Sequence, residues 1–167
     1  MGCGKTTLGE VLARQMALRY IDLDQFIEQQ CGMTIVEIFD EMGENHFREL
    51  ETAALCEVAA MTGVVVGCGG GTPCHGDNML LMNASGITIW LTTSPERITA
   101  RLLLPDQKAK RPKIARLPDA AVLPLVEREL QTRTPYYSQC HLRFDSTDIE
   151  TAPATERTAR RLAALLT

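Results

Sequence analysis

GCGKTT, at residues 2–7, is the stretch from which the fold can be inferred, because it matches the second half of the phosphate-binding pattern G-x-x-x-x-G-K-[ST]. Glycines without a Cβ let backbone N–H groups converge on phosphate oxygens, and the helix that follows adds the positive end of its dipole. A short G-K-T run also arises by chance, so the alternative is a glycine-rich terminus without function. We expect ATP to be contacted by Gly2, Cys3, Gly4, Lys5, Thr6 and Thr7.

The chain beyond this loop alternates amphipathic helices with short apolar strands, which predicts an α/β fold with a parallel sheet flanked by helices. Helices are predicted at residues 6–19, 34–43, 47–61, 123–132 and 153–166, and a further helix is predicted to begin at Ser94-Pro95-Glu96. Thr34 with Glu37 is predicted to form a capping box, and Gly43 to end that helix. Ser94 is predicted to cap the helix that begins at Pro95. Strands are predicted at residues 20–24, 64–68, 87–91 and 142–145.

Composition sets limits on the function. The chain has 167 residues, which is the size of one domain, and a net charge of −4, which argues against nucleic acid as the main partner. No apolar run approaches the ~20 residues that span a bilayer, so no membrane partner is predicted. Six cysteines without a CxxC pair favour a reducing cytoplasm over a disulfide framework, and Cys68, Cys74 and His75 lack the second ligand pair of a zinc site.

The stretch from Pro105 to Pro118 interrupts the pattern, because it is basic, rich in proline and poor in large apolar side chains. Such a stretch predicts a mobile surface loop. Lys108, Lys110, Arg111, Lys113 and Arg116 supply its positive charge.

The first half of the phosphate-binding pattern, and the strand that normally leads into it, do not precede Gly2 in the sequence. About five buried apolar residues, at ~1.5–3 kcal/mol each, would contribute on the order of 10 kcal/mol, which rivals the stability of a whole domain. We therefore expect the codons upstream of Met1 to encode an apolar strand followed by a glycine, and reading them tests this expectation.

Several short motifs follow the loop in a fixed order. Asp22-Leu23-Asp24 closes the strand after the first helix, and Gly43-Glu44 precedes Phe47-Arg48-Glu49-Leu50-Glu51. Gly69-Gly70-Gly71, Arg111-Pro112 and the pair Arg133 and Tyr137 come next. From Gly2 to about Asp145 this ordered set resembles the shikimate kinase family.

The resemblance implies a three-layer P-loop kinase fold in one domain, residues 1–167, with strand order 2-3-1-4-5, of which the first strand is not in the sequence. It implies transfer of the ATP γ-phosphoryl group to the 3-hydroxyl of shikimate, in chorismate and aromatic amino-acid biosynthesis, by a cytoplasmic monomer that uses Mg²⁺. Residues 25–60 would form the shikimate-binding region, and residues 105–118 the lid.

The resemblance also implies roles for single residues. Lys5, Asp24 and Arg111 would be catalytic, Arg101 and Arg111 would join the loop in binding ATP, and Thr6 and Asp22 would hold Mg²⁺. Shikimate would be bound by Asp24, Phe47, Arg48, Glu51, Gly70, Gly71 and Arg133, since paired arginines suit a carboxylate.

Each of these residues also has a structural interpretation. Arg48 could form only a surface ion pair with Glu51, Asp24 could cap a helix over residues 25–30, and Phe47 could be a core residue. Arg111 and Arg133 could be solvated charges, Asp22 a solvated strand end, and Gly70 and Gly71 only a tight turn.

Two other functions stay open. One is a different small-molecule P-loop kinase, such as a gluconate or nucleoside-monophosphate kinase, and the other is a relative that binds shikimate without catalysis. The sequence departs from the family pattern at Lys113-Ile114-Ala115-Arg116 in the lid and at Ser138-Gln139-Cys140 after Tyr137.

Overall fold

The computed structural model describes residues 2–109 and 112–166. Its helices are α1 (Lys5–Gln15), α2 (Leu23–Cys31), α3 (Ile35–Ala59), α4 (Asn78–Ser85), α5 (Pro95–Leu102), α6 (Pro105–Ala109), α7 (Pro112–Ala115), α8 (Val122–Tyr137) and α9 (Ala152–Ala163). Its strands are β1 (Arg19–Asp22), β2 (Val64–Gly67), β3 (Ile89–Thr92) and β4 (Leu142–Asp145). Short 3₁₀ turns cover Thr72–Cys74 and Asp119–Ala121.

The strands form two parallel pairs, as the α/β pattern predicts. Tyr20 of β1 lies opposite Val65 of β2, and Trp90 of β3 lies opposite Arg143 of β4. Within the described ranges the two pairs are not hydrogen-bonded to each other, so the strand order is β1-β2 and, separately, β3-β4. These pairs correspond to positions 2-3 and 4-5 of the predicted order.

Both pairs point their carboxyl ends at the GCGKTT loop. The carbonyl of Gly67, at the end of β2, accepts a hydrogen bond from Lys5 Nζ at 3.0 Å. At the end of β3, Ser146 Oγ lies 3.2 Å from the carbonyl of Thr92 and 2.8 Å from that of Cys3. The loop therefore lies at the carboxyl edge of the strands, where ligands bind in open α/β folds.

The core consists of three apolar clusters, each buried between helices or between helices and strands. The first joins α2 to α3, the second joins α1 to β4 and α9, and the third joins α5 to α8. None of the described helices has both the length and the apolar character needed to cross a membrane.

Residues 105–109 and 112–118 have more regular structure than the sequence predicts. The described part of this segment forms α6 and α7, and Ile114 is fully buried against Ile98, Leu102 and Val122. The prediction of an irregular loop was wrong because one apolar anchor among basic residues produces no periodic pattern. Movement of the segment stays a prediction.

Several predicted boundaries are confirmed. Thr34 Oγ1 accepts from the Glu37 amide at 3.3 Å while Glu37 accepts from the Thr34 amide at 2.7 Å, which completes the capping box. Gly43 breaks the helical path with φ +83°, and Ser94 caps α5.

Two predicted boundaries were wrong. The strand predicted at residues 20–24 ends at Asp22, because the Asp22 carboxylate caps α2 by accepting from the Asp24 amide at 3.1 Å. The cap is therefore Asp22, whereas the alternative interpretation assigned it to Asp24. Helix α8 continues to Tyr137, past Pro135, and is longer than predicted.

Candidate active site

The phosphate-binding loop is shaped by two glycines in left-handed conformations. Gly2 has φ +65° and Gly4, the N-cap of α1, has φ +90°. A Cβ on Gly4 would lie 1.9 Å from Ile149 Cδ1, so the backbone and the space around it both require glycine. The first amides of α1 have no acceptor within the helix, which leaves them available to an anion beside the loop.

Replacing Gly4 by Ala is expected to distort the loop, because the left-handed conformation alone costs about 1–3 kcal/mol and the new methyl group meets Ile149. ATP affinity, measured by calorimetry, should fall and the melting temperature should drop. The matched control is Gly86→Ala, since Gly86 is extended and a Cβ added there would meet nothing within 4 Å. Equal effects of the two substitutions would contradict this interpretation of the loop.

Arg101 holds the loop in place. Its guanidinium donates to the carbonyls of Gly2 at 3.2 Å and Thr147 at 3.0 Å, and it pairs with Glu150 at 2.7 Å. The resemblance implied that Arg101 binds ATP, which stays a prediction, and these bonds give Arg101 a structural role that the sequence did not indicate. Only the spatial proximity of residues 2, 101 and 147 creates this role, so no local pattern could have revealed it.

Lys5, Thr6 and Asp22 meet at the mouth of the loop. Lys5 Nζ lies 2.9 Å from Asp22 Oδ2, and the Thr6 hydroxyl lies 3.4 Å from the same oxygen. Burial pulls the pKa of Lys5 down, but the hydrogen bond and charge of Asp22, with the charges of Tyr20 and Asp24, outweigh it and leave the pKa above its ordinary value. Lys5 is therefore a full positive charge where phosphates would lie.

Asp24 lies in the first turn of α2, on the acceptor side of the site. A Cβ on Gly69 would lie 3.4 Å from Asp24 Oδ1 and 3.1 Å from Glu51 Oε1. Both carboxylates therefore lie against the turn formed by residues 69–71, the glycine turn. Burial raises the pKa of Asp24, and the positive charge of Lys5 opposes this while the charges of Asp22 and Glu51 add to it. A carboxylate with a raised pKa can accept a proton from a substrate hydroxyl.

Arg48 is fixed in place by acidic neighbours. Its Nη1 donates to Glu51 at 2.6 Å and its Nη2 to Glu44 at 3.2 Å, and these partners raise its pKa although burial, the largest influence, lowers it. A Cβ on Gly71 would lie 2.7 Å from Arg48 Nη1, so the absence of a side chain there lets the guanidinium approach the turn.

Glu51 is a buried partner of Arg48. Its side chain is only 1% exposed, and its other oxygen accepts from Thr72 Oγ1 at 2.5 Å. The direct contact between Glu51 and substrate that the resemblance implied stays a prediction, and the burial of Glu51 and its bond to Arg48 also fit a side chain that orients the guanidinium. The Arg48–Glu51 pair predicted as an alternative exists, but at a buried position.

Arg133, on α8, pairs with Glu129 and lies close enough to Tyr137 and Cys74 for its charge to lower the pKa of each. Tyr137, one helical turn on, donates from its hydroxyl to the carbonyl of Gly70 at 2.6 Å, and its ring packs on Trp90. Burial raises the pKa of Tyr137, and the charge and hydrogen bond of Arg133 oppose the shift. Burial also raises the pKa of Cys74, which the charges of both Arg133 and Arg48 oppose.

The described side chains therefore form one continuous site. The positive charge of Lys5 lowers the pKa of Asp24, and Asp24 lies against Gly69. Tyr137 contacts Gly70, and Arg48 lies against Gly71. The charges of Lys5, Arg48 and Arg133 are therefore linked through Asp24, Gly71 and Cys74. Among the described residues no group of three His, Cys, Asp or Glu side chains is arranged for a metal ion, which includes the cysteines near His75.

Comparison with known proteins identifies this arrangement. Residues 1–165 match the shikimate kinase family. The chain belongs to the shikimate kinase family. A shikimate kinase of Phocaeicola vulgatus is 44% identical over 150 residues, which cover 90% of this chain and 85% of the relative. A shikimate kinase of Bacteroides thetaiotaomicron is 39% identical over 166 residues, covering 99% and 94%.

Solved structures of shikimate kinases have the same fold. The crystal structure of the Bacteroides thetaiotaomicron enzyme superposes with a TM-score of 0.95 at 39% identity, covering 99% of this chain and 93% of that one. Shikimate kinase from Acinetobacter baumannii, solved in complex with shikimate, superposes with a TM-score of 0.83 at 30% identity, covering 99% and 88%. The predicted P-loop kinase fold is thereby confirmed.

Phe47 and Arg111 were both implied as site residues by the shikimate kinase resemblance. Phe47 is 4% exposed and packs on Phe39 with ring centroids 4.6 Å apart, so it takes the core position that the sequence left open. Arg111 lies outside the described residues. Tyr137 and Thr72 were not predicted as site residues, and only the Arg133-to-Tyr137 spacing pointed towards the former.

Proposed function

We propose that this chain transfers the γ-phosphoryl group of ATP to the 3-hydroxyl of shikimate, giving shikimate 3-phosphate and ADP. The observation that carries the proposal is that Lys5, Asp24, Arg48 and Arg133 lie along one segment, from Gly67 to Cys74: Lys5 donates to the Gly67 carbonyl, Asp24 lies against Gly69, Arg48 lies against Gly71, and Arg133 acts on Cys74. A carboxylate on the acceptor suits two guanidiniums, since arginine binds carboxylates through paired hydrogen bonds.

The reaction follows from what each side chain can do. Backbone amides of the loop and Lys5 hold the ATP phosphates, while Arg48 and Arg133 hold the acid at the other end of the site. Asp24 accepts the proton of the 3-hydroxyl while the oxygen of that hydroxyl forms a bond to the γ-phosphorus. The bond between the γ-phosphorus and the β–γ bridging oxygen breaks at the same time, and ADP leaves. We include Arg111 as a lid residue that would face the transferring group.

The side chains present also fit Mg²⁺. Magnesium is usually held by one or two protein oxygens together with phosphates and water, and the Thr6 hydroxyl and Asp22 carboxylate are 3.4 Å apart beside the loop. We propose that these two residues hold it, directly or through water, where it would neutralise charge on the β- and γ-phosphates. A cytoplasmic location and a monomeric state stay predictions from sequence.

Turnover assays with three acceptors test the proposed function. ADP release should be rapid with shikimate and at background with gluconate and with AMP, and the phosphorylated product should be shikimate 3-phosphate by mass and ³¹P spectra. Preference for gluconate or AMP would replace the proposal with the corresponding kinase. If calorimetry detects a heat of binding for shikimate but none for ATP–Mg²⁺, the chain is a relative that binds shikimate without catalysis.

Replacing Arg48 by Lys is expected to raise KM for shikimate about 10–100-fold, because a lysine keeps the charge beside Glu51 but cannot form the paired contact. KM for ATP should stay unchanged, since the loop is not altered. Initial rates at varied shikimate and ATP measure both constants. Arg157→Lys, in an exposed pair with Asp148, is the control and should change neither. An unchanged shikimate KM in Arg48→Lys would remove the proposed role.

A further inference from the structure

Thr72 directly follows the glycine turn and is fixed by hydrogen bonds from all of its polar groups. Its amide donates to the carbonyl of Gly69 at 3.2 Å, and its carbonyl accepts from Asn78 Nδ2 at 3.0 Å. Its hydroxyl donates to Glu51 Oε1 at 2.5 Å. Thr72 and Asn78 are both buried, so these bonds are shielded from water. The hydroxyl of Thr72 is therefore held at one point relative to the glycine turn.

The carboxylate of Glu51 depends on the Thr72 hydroxyl for its orientation. Its Oε2 accepts from Arg48 Nη1 at 2.6 Å, while its Oε1 accepts from Thr72. The terminal torsion of a glutamate is intrinsically broad, so one bond alone would let the carboxylate turn. Because this side chain is almost fully buried, water cannot replace a lost donor, and an unpaired carboxylate oxygen would be costly. Two donors on two oxygens therefore fix the plane of the carboxylate.

The plane of the Arg48 guanidinium follows from that of Glu51. A paired contact with a substrate carboxylate requires the planar guanidinium to face it edge-on. The other acidic partner, Glu44, is an exposed side chain 3.2 Å from Nη2, and exposed ion pairs constrain a side chain weakly. The buried carboxylate of Glu51 is consequently the partner that sets the orientation of Arg48.

We infer that Thr72 is a positioning residue for the acidic substrate. Its hydroxyl fixes Glu51, Glu51 fixes the guanidinium of Arg48, and Arg48 is thereby oriented before the substrate carboxylate arrives. Thr72 acts through Arg48 and takes no part in phosphoryl transfer, so it should govern acceptor affinity and leave the chemical step alone. The inference rests on the proposed function, because it assigns the carboxylate of shikimate to Arg48.

Steady-state kinetics of Thr72→Val test this role, since valine keeps the branched shape and removes the hydroxyl. We expect KM for shikimate to rise about tenfold or more, with kcat changed less than about threefold and KM for ATP unchanged. Thr72→Ser restores the hydroxyl and should restore KM. The matched control is Thr99→Val, because Thr99 Oγ1 is buried and has no hydrogen-bond partner among the described residues. It should change none of the three constants.

Nitrogen-15 spectra of the arginine guanidiniums give a readout that needs no turnover. The two Nη nitrogens of Arg48, assigned by their loss in Arg48→Lys, should give separate signals in the wild type and in Thr72→Ser. In Thr72→Val the guanidinium should rotate and the two signals should merge. If Thr72→Val does not fold, Thr72→Ala takes its place.

Three results would each overturn the inference. They are a single merged Arg48 signal in the wild type, separate signals or an unchanged shikimate KM in Thr72→Val, and equal increases of KM in Thr72→Val and Thr72→Ser. Failure of the wild type to phosphorylate shikimate would instead count against the proposed function. The spectra, which contain no substrate, would still show whether Thr72 orients Arg48.

Discussion

Replacing Asp24 by Asn is expected to lower kcat about 10²–10⁴-fold, because the amide keeps the size of the side chain but cannot accept the proton of the acceptor hydroxyl. Shikimate affinity should change much less, since Arg48 and Arg133 are untouched. Burst kinetics and calorimetry separate the two effects. Asp40→Asn, at an exposed position on α3, is the matched control and should leave kcat unchanged.

The pH dependence gives this prediction a second readout. The base must be ionised, so kcat/KM falls as pH drops through the pKa of Asp24, and burial places that fall above the range of an ordinary aspartate. The Asn variant should lose this limb of the profile. An acid limb that persists unchanged in Asp24→Asn would show that another group is the base.

Stability should respond in the opposite direction. Because the folded-state pKa of Asp24 is raised, the folded protein binds the proton more readily than the unfolded chain between the ordinary and the raised pKa, and stability falls as pH rises through that window. Asn removes this contribution, so the melting temperature of the variant at neutral pH should equal or exceed that of the wild type. A large loss of activity without loss of stability would separate catalysis from folding.

Replacing Lys5 by Met is expected to lower kcat about 10²–10³-fold, since one preorganised charge aimed at the transferring phosphoryl group is lost. ATP affinity should fall as well, whereas shikimate binding in the absence of nucleotide should be retained. Titration of each substrate by calorimetry, together with steady-state rates, measures these effects.

The control for Lys5 lies on the same helix. Arg14, at the other end of α1, pairs with Glu156 at an exposed position, so Arg14→Met removes a cation without touching the loop. It should retain kcat and nucleotide affinity. Because Lys5→Met leaves the Asp22 carboxylate without its cation, the melting temperature of both variants must be compared at equal pH. Retained ATP affinity in Lys5→Met would contradict the assignment of the loop.

The sequence predicted those parts of the fold that depend on local chemistry. The GCGKTT loop, the capping box at Thr34, the break at Gly43 and the strand at residues 142–145 all follow from residue type and short-range spacing. The ordered motifs also predicted that Asp24, Arg48 and Arg133 share one site; Asp24 and Arg48 lie against Gly69 and Gly71, and Arg48 and Arg133 both act on Cys74.

The parts that the sequence did not predict depend on contacts between distant segments. Arg101 meets the Gly2 carbonyl 99 residues away, and the Tyr137 hydroxyl meets the Gly70 carbonyl 67 residues away. Ile114 anchors a basic segment through a single buried side chain. Asp22 caps helix α2 and thereby ends the strand that the sequence pattern had predicted to continue to residue 24. Neither periodicity nor propensity contains such information.

Discrimination between shikimate and its neutral carboxamide tests the central claim most directly, because the two acceptors differ only in the charge that Arg48 and Arg133 are proposed to hold. We predict that wild-type kcat/KM favours shikimate by about 10²-fold or more, and that Arg48→Lys and Arg133→Lys each reduce this ratio about tenfold or more. Equal kcat/KM for the two acceptors, or a ratio unchanged in both variants, would contradict it.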